Sequence, residues 1–433
     1  MYVRLPVHGG SKRHGCRYNG LVTAWRTEEG ERCFDFAIVG AGVSGLSLAW
    51  QLLDSALTPC SILLIDGARD EHELRTLSFW AESPGPLDSL VRHRWRSLEV
   101  ASATGAQRVE LLQYSYCTLF FADLQREVKR RLASQPQHLI VEGRLRESTE
   151  DAEGVTLSVG AETLRARWVF DSRFHRTELA VDQRRWHLLW QHISGWSIAA
   201  QQDVFAADIA TLLDFRVAAT PGTAFFYVLP FSPREALVEL VTLDPVDPEP
   251  LLRSYLADVH GLTAFVIQDH EAGKSPMTEQ PFLRREGERI RLIGIPAGRL
   301  KASTGYALTR ILDDGADIVR SLQTHGHPFA SRADSVLYRV LDAVLLELWQ
   351  LESTQIPVVF SALFARNRAD EVLRFLDERA SLWQILRLIR TLPVWPFLKA
   401  VGRCLGRYLR RSNPELPKLP SSPSLPAHLP KDP

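Results

Sequence analysis

The stretch that most constrains this chain is its longest run without a charged residue, Phe36 to Leu53. By length alone it is a candidate membrane span. Three glycines argue against that: Gly40, Gly42 and Gly45 stand in the order G-x-G-x-x-G, after the apolar run Phe36–Val39 and before the helix-like run Leu46–Leu53. Glycines so placed weaken a helix in lipid but suit a strand–turn–helix joint. A second apolar run, Ser61–Ile65, ends in an acid, Asp66. Together these read as one βαβ unit that binds a dinucleotide. In such a unit Gly40 permits the tight turn, Gly42 lets the backbone approach a pyrophosphate, and Gly45 lets the helix pack close to the sheet. The helix N-terminus then faces the anion and Asp66 reaches a ribose hydroxyl. The plainer reading is a glycine-rich turn inside a core.

Composition removes several alternatives. The 433 residues are 45% hydrophobic and 24% charged, as in a globular chain with a large core. Lys+Arg and Asp+Glu balance at 51 each, which removes the global electrostatic argument for a nucleic-acid partner. The five cysteines form no C-x-x-C pair, so neither a disulfide framework nor a zinc site is indicated, and a reducing cytoplasm fits. No H-x-x-H or carboxylate spacing points to a metal.

Alternation of apolar and polar residues predicts short strands at Gly154–Val159 and Thr163–Phe170, as in a meander inserted in a Rossmann-like sheet. Aromatic and β-branched runs at Ala224–Pro230 and Glu235–Val241 predict a separate sheet facing a bulky apolar ligand. A strand at Arg289–Gly294, a glycine- and serine-bearing loop to Tyr306 and a helix to about Leu322 return the chain to the nucleotide domain. The expected class is therefore α/β, a Rossmann-like cofactor domain interleaved with a mixed β-sheet substrate domain and followed by a helical C-terminal region. Residues 1–33 read as a disordered leader or an over-long gene start; 34–180 and 286–325 as the cofactor domain; 181–285 as the substrate domain; 326–412 as helical; and 413–433, rich in proline, as disordered.

Several stretches in fixed order resemble one family, the flavin-dependent lycopene cyclases of the bacterial and plant type. They are Gly40 to Gly45, Arg75-Thr76 with Phe79-Trp80, Gln191-His192 with Gly195-Trp196, Leu213 to Arg216, Phe225 to Pro233, Pro276-Met277-Thr278, Lys301 to Tyr306 and Val372 to Glu378. The resemblance implies a flavoprotein that closes the acyclic end of a carotenoid to a six-membered ring, an isomerisation without net redox change. It implies FAD, active in its reduced form, with NAD(P)H only as reductant, and a lycopene-like polyprenyl substrate. It implies no obligate protein partner.

Glu239 matches the family's carboxylate after the Phe225–Phe231 strand, and between Val238 and Leu240 its carboxyl is desolvated, which raises its pKa and keeps a proton available. The alternative is an edge-strand Glu facing water. Asp214 is the second candidate acid, with an ion pair to Arg216 as its bland explanation. Arg75 either pairs with cofactor phosphate or ribose or is a surface arginine. Gly298 and Gly305 flank a loop whose backbone from Ser303 through Thr304 and Gly305 to Tyr306 lies, in the family, near the flavin. Ile295-Pro296-Ala297 departs there from the family's small residues ending in glycine, which puts close approach of the flavin in doubt. His192 reads as structural. Trp80, Trp186, Trp190 and Trp196 either line a polyene tunnel or pack the core.

From Ser381 to Arg411 there are seven basic residues and no acid. A helix from near Pro396 puts Lys399, Arg403 and Arg407 on one stripe and Leu398, Val401, Leu405 and Leu409 on another, a pattern for lying on an anionic membrane at the inner face of the cell. On that reading the arginines bind the lipid; the alternative is a solvated face. Two rival functions share the expected fold: a flavin monooxygenase or prenyl reductase, and a non-catalytic carotenoid- or lipid-binding protein that keeps FAD.

Overall fold

A computed structural model describes residues 25–26, 32–67, 75–174, 179–216 and 224–409. The proline-rich tail, Arg410 and Arg411 lie outside the described residues, as does most of the leader.

The chain begins with β1 (Trp25–Arg26), β2 (Arg32–Val39), α1 (Val43–Leu53) and β3 (Ile62–Asp66). It continues through β4 (Thr76–Ala81), β5 (His93–Trp95), β6 (Ser97–Ser102), β7 (Gly105–Glu110), β8 (Ser115–Phe120), α2 (Phe121–Ala133) and β9 (Leu139–Glu142). Then come β10 (Leu145–Glu150), β11 (Val155–Val159), β12 (Glu162–Asp171), β13 (Leu189–Ala200), β14 (Ile209–Asp214), β15 (Ala224–Pro230) and β16 (Glu235–Thr242). After α3 (Pro248–His260) follow β17 (Phe265–Met277), β18 (Arg285–Glu286), β19 (Ile290–Leu292) and α4 (Leu308–His325). The C-terminal region holds α5 (Val336–Leu351), α6 (Ile356–Arg366), α7 (Ala369–Leu376), α8 (Leu382–Ile389) and α9 (Val394–Leu409).

The first sheet runs β10-β11-β12-β2-β3-β9, with β19 also beside β12. β2, β3, β9, β12 and β19 are parallel, so the C-terminal ends of β2, β3, β12 and β19 meet at one edge, where α/β sheets bind cofactors. The meander forms as the alternation predicts, β10 and β11 pairing antiparallel ahead of β12. Inside the segment read as a leader, Trp25 and Arg26 pair with Cys33 and Arg32, extending the sheet rather than lying free of it.

The second sheet runs β17-β13-β16-β15-β14-β6-β7. It draws β6 and β7 from the segment expected to belong wholly to the cofactor domain, because β6 pairs parallel with β14 more than a hundred residues later. Such a pairing leaves no local signature. One face of this sheet, bearing Phe225, Leu229, Leu237 and Val241, shares a core with Trp349, Phe360 and Leu388 of the C-terminal helices. The other face, bearing Trp196, Phe226, Val238 and Leu240, is covered by Leu252, Tyr255 and Leu256 of α3. α3 starts at Asp247, whose side chain accepts from Glu249 N–H, and stops at left-handed Gly261.

Candidate active site

The nucleotide turn follows from its glycines. Gly40 has φ of 99°, a conformation closed to most residues. A Cβ on Gly45 would stand 2.0 Å from the Gly40 carbonyl oxygen, so only glycine lets α1 approach this closely. Gly42 is the N-cap of α1 with no side-chain cap and no acid in the first turn, and the space where its Cβ would be is open. The residues present therefore fit an anion: an uncapped helix N-terminus beside room for a backbone-to-pyrophosphate contact. Asp66 ends β3 at the expected edge, nine-tenths buried, with Lys129 of α2 as an ion-pair partner at 2.7 Å. Ile295–Ala297 forms a 3-10 turn between Gly294 and left-handed Gly298, and the Gly294 position lies against Ser44 at the start of α1. The departing segment is thus beside the nucleotide turn.

On the second sheet, β15, β16, β13 and β17 lie side by side, and their register aligns Tyr227, Glu239, Gly195 and Glu271 in one row. β16 is an interior strand, and Glu239 lies on the face it shares with Leu237 and Val241, not at an exposed edge. A Cβ on Gly195 would stand 2.9 Å from Cγ of Glu271 and 3.0 Å from Cγ of Glu239. The missing side chain is what lets the two carboxyls meet. Burial first, then the neighbouring Glu271 charge and their shared hydrogen bond, push the Glu239 carboxyl well above the ordinary carboxylate range. Glu239 is half-buried by surface area, flanked in its row by Tyr227 and Gly195. Glu271 is also raised by burial, but less, because it accepts from Thr76 N–H at 3.0 Å and Thr76 Oγ1 at 3.3 Å and from Glu239. The two Thr76 donors favour the anionic form at Glu271 rather than at Glu239.

Beside the pair stands a phenol cluster. Tyr116 and Tyr306 hydroxyls are 3.0 Å apart, Tyr227 bonds to Tyr306, and burial pushes all three well above the ordinary phenol range. Trp80 lies 4.4 Å from the Tyr306 ring, centroid to centroid. Trp80, Tyr227, Tyr306, Gln191, Met277 and Trp349 are among the walls of an almost wholly apolar cavity of ≈ 40 Å³. Tyr306 is held by a turn in which Gly305 N–H donates to Lys301 C=O at 2.8 Å and Lys301 N–H to Tyr306 C=O at 2.8 Å. The turn is pinned to the helices: Lys301 Nζ reaches Asp342 and Glu378, and Ser303 Oγ reaches Asp342 at 2.7 Å. Left-handed Gly305 leaves room for Gln191. Thr304 Oγ1 is buried without a partner among the described residues.

A family model described as "Lycopene cyclase protein" matches residues 35–401. The chain belongs to the lycopene cyclase family. No curated protein matches it in sequence. Among solved structures it is similar to a geranylgeranyl bacteriochlorophyll reductase-like protein from Thermoplasma acidophilum, at 12% identity and TM-score 0.54 over 87% of this chain and 99% of that one. It is similar to the flavin-dependent brominase Bmp2, at 14% identity and TM-score 0.56 over 87% and 99%, and to the halogenase PltM, solved with phloroglucinol and FAD, at 11% and 0.53 over 87% and 92%. These likenesses establish the fold, that of the flavin-dependent reductases, halogenases and monooxygenases.

Within this lycopene cyclase family member the remaining sequence candidates separate. Asp214 is fully buried on β14, its oxygens taken by Arg216 and by Tyr255 Oη at 2.7 Å from the α3 face, so the structure does not bring it to Glu239. Arg75 is exposed, its guanidinium 5.3 Å from the Phe121 ring, directly before the Thr76 that holds Glu271. Of the four tryptophans proposed for a tunnel, only Trp80 lines the cavity. Trp190 and Trp196 alternate with Gln191 and Gly195 and so lie on the opposite sheet face, where Trp196 packs with Phe265. His192 shares that opposite face. Sequence reading missed Glu271, Tyr116 and Trp349. Gly195 stood in a family segment without a role, and Glu271 lies in a strand whose Gly273, Lys274 and Pro276 disguise its pairing.

Among the described residues one group, His187, Glu347 and Cys404, brings metal-ligand atoms within 4.8 Å of one another. His187 is hydrogen-bonded between Glu279 at 3.0 Å and Glu347 at 2.7 Å, and Arg407 of α9 lies 3.4 Å from Glu347. Two buried carboxylates are thus balanced by an imidazole and a guanidinium.

Proposed function

We propose that this chain is a carotenoid cyclase that closes acyclic end groups of lycopene or a related polyprenyl chain. The observation that carries the reading is the Glu239–Glu271 pair, two carboxyls brought together over Gly195, where burial favours the form of Glu239 that carries a proton, in one row with Tyr227, whose side chain lines an apolar, aromatic cavity. Glu239 donates that proton to the terminal alkene carbon, which leaves a tertiary carbocation; the neighbouring double bond attacks it, forming the ring C–C bond. Loss of a ring proton to the carboxylate pair restores the acid and leaves a cyclohexene, so mass is unchanged. The faces of Trp80, Tyr227 and Tyr306 stabilise the passing cation. Glu271, held by Thr76, keeps one proton shared between the two acids, since like charges this close do not both ionise in an apolar site.

FAD fits the open α1 terminus, with Gly40, Gly42, Gly45, Asp66 and the Gly294–Gly298 turn as its holders; when bound and reduced by NAD(P)H it supplies electron density that favours a nearby cation. Substrate entry must open the cavity: a protein-core cavity that admits benzene measures about 150 Å³, against the ≈ 40 Å³ enclosed here. The flexible Met277 on its wall suits that adjustment.

The test is expression of the full chain in a lycopene-producing bacterial host, with extracted pigments followed by chromatography, absorbance and mass. A new pigment of unchanged mass and blue-shifted spectrum is expected. A product of altered mass would replace cyclisation with a monooxygenase or prenyl reductase activity, and lycopene persisting beside folded, FAD-bound protein would reject it as the substrate.

A further inference from the structure

The charged and apolar stripes of α9 do not face the way an arginine-bound membrane helix requires. Lys399 and Arg403 approach Glu352 at 3.8 and 3.3 Å, and Arg407 reaches Glu347 and the Gln183 carbonyl, so the basic stripe docks α9 onto α5. Ala400 is 1% exposed on the docked side. The outward stripe is apolar: Val394, Trp395, Leu398, Val401, Leu405 and Tyr408 are all about half exposed or more, Trp395 at 75%. α8 continues it, with Leu382 at 65% and Trp383 at 83%. Ten of the nineteen exposed large apolar side chains among the described residues lie between Leu382 and Tyr408. Soluble surfaces rarely gather such residues into one patch.

We propose that the outward face of α8 and α9 lies in the interfacial layer of an anionic lipid bilayer, with Trp383 and Trp395 as its anchors. No described helix is long and apolar enough to cross a membrane, so the helices lie in its plane. Tryptophan suits that depth, having an apolar ring and a polar N–H. Charge decides between a bilayer and a second copy of the chain. The segment Ser381–Arg411 has seven basic residues and no acid. Most of these cations among the described residues are paired, but Lys399 and Arg403 share the one carboxylate of Glu352 and keep about half their side-chain surface exposed, so the flank of this face holds a positive excess that a two-fold contact would set against itself and an anionic surface attracts. Arg390 is exposed and has no side-chain partner among the described residues. The docked arginines position the helix and the apolar stripe binds the lipid, which reverses the roles expected from sequence. The face also adjoins the cavity: Leu388 of α8 and Ala400 of α9 are buried in the same core as Trp349 and Phe360 of the cavity wall.

The test needs no turnover, so its outcome is independent of cyclisation. The full chain is floated with phosphatidylcholine vesicles with and without phosphatidylglycerol, beside Trp383→Ser/Trp395→Ser, Leu398→Ser/Leu405→Ser and a control, Leu112→Ser/Val266→Ser, exposed elsewhere. Each face variant should lose roughly tenfold or more in vesicle partitioning, and the control little. Brominated acyl chains should quench the wild-type indoles and spare those of the first variant. Failure of the wild type to float, face variants floating as wild type does, or quenching unchanged in the first variant would overturn the proposal. So would a lipid-free dimer that the same substitutions convert to monomer, since the face would then belong to a second copy.

Discussion

Replacing Gly195 by alanine tests the acid pair without touching either acid. The new Cβ would stand 2.9 Å from Cγ of Glu271 and 3.0 Å from Cγ of Glu239, with Glu271 Oε1 at 3.2 Å. Ordinary van der Waals contact needs about half an ångström more on each side. Because the two side chains come from strands on opposite sides of β13, the retreats add, and the carboxyls separate by about 1 Å, enough to break a hydrogen bond of ordinary length. The fold should tolerate the change: alanine in a strand gains about 0.5–1 kcal/mol over glycine, against about 1–3 kcal/mol for overpacking. A net loss of no more than about 2 kcal/mol moves Tm by only a few degrees in a chain this long. Catalysis should suffer far more, since a displacement of about 1 Å costs on the order of 100-fold. The assay is pigment conversion in a lycopene-accumulating host together with Tm and bound-flavin absorbance of the purified protein. Unchanged conversion would refute the reasoning, and a collapse of Tm would show that Gly195 serves the fold instead.

Glu239→Gln should keep fold and flavin and lower ring closure by about 100-fold or more, read in the same host; normal turnover removes Glu239 from the chemistry. Gly42→Ala should cost the apoprotein no more than about 1 kcal/mol as a poorer N-cap, because its single added carbon meets nothing within 4 Å, yet lower flavin absorbance by filling the space beside the α1 terminus. Asp377 is pushed from 3.8 up to about 7, first by burial, so the fold binds its proton more tightly than the unfolded chain. Its stabilising contribution is present below the unfolded value and lost as pH rises through about 7; Asp377→Asn should therefore raise Tm at pH 8 relative to wild type but not at pH 4. Burial opposes charge on His187, but Glu279 and Glu347 outweigh it and raise its pKa, so that stability too is lost as pH rises through the raised value. His187→Gln should destabilise by about 3 kcal/mol at pH 6 and by less at high pH, measured by urea unfolding.

Local pattern carried much of this molecule. The βαβ unit was legible because its determinants are neighbours in the chain: the apolar run that became β2, the glycines that shape the turn, and the run that became β3. β15 spans Ala224–Pro230, the boundaries that its aromatic and β-branched residues predict. Gly298 and Gly305 are both left-handed, in keeping with a tight loop before α4. Asp214 shows where local reading ends. Its spacing to Arg216 revealed the ion pair, but not that Tyr255, from α3 on the far sheet face, would complete it.

What the sequence by itself determined was the identity and period of the elements, since strand alternation, helical stripes and glycine turns are set by residues a few positions apart. Only the tertiary structure decided which faces meet. Register between β16, β13 and β17 brought Glu239 to Glu271 over Gly195, and a shift of one residue would have sent either acid to the opposite face. Packing of α9 on α5 likewise turned its arginines inward toward Glu352 and Glu347 and its apolar stripe outward. A periodic stripe states that a helix has two sides, and which side is buried depends on charges and cavities supplied by distant parts of the chain.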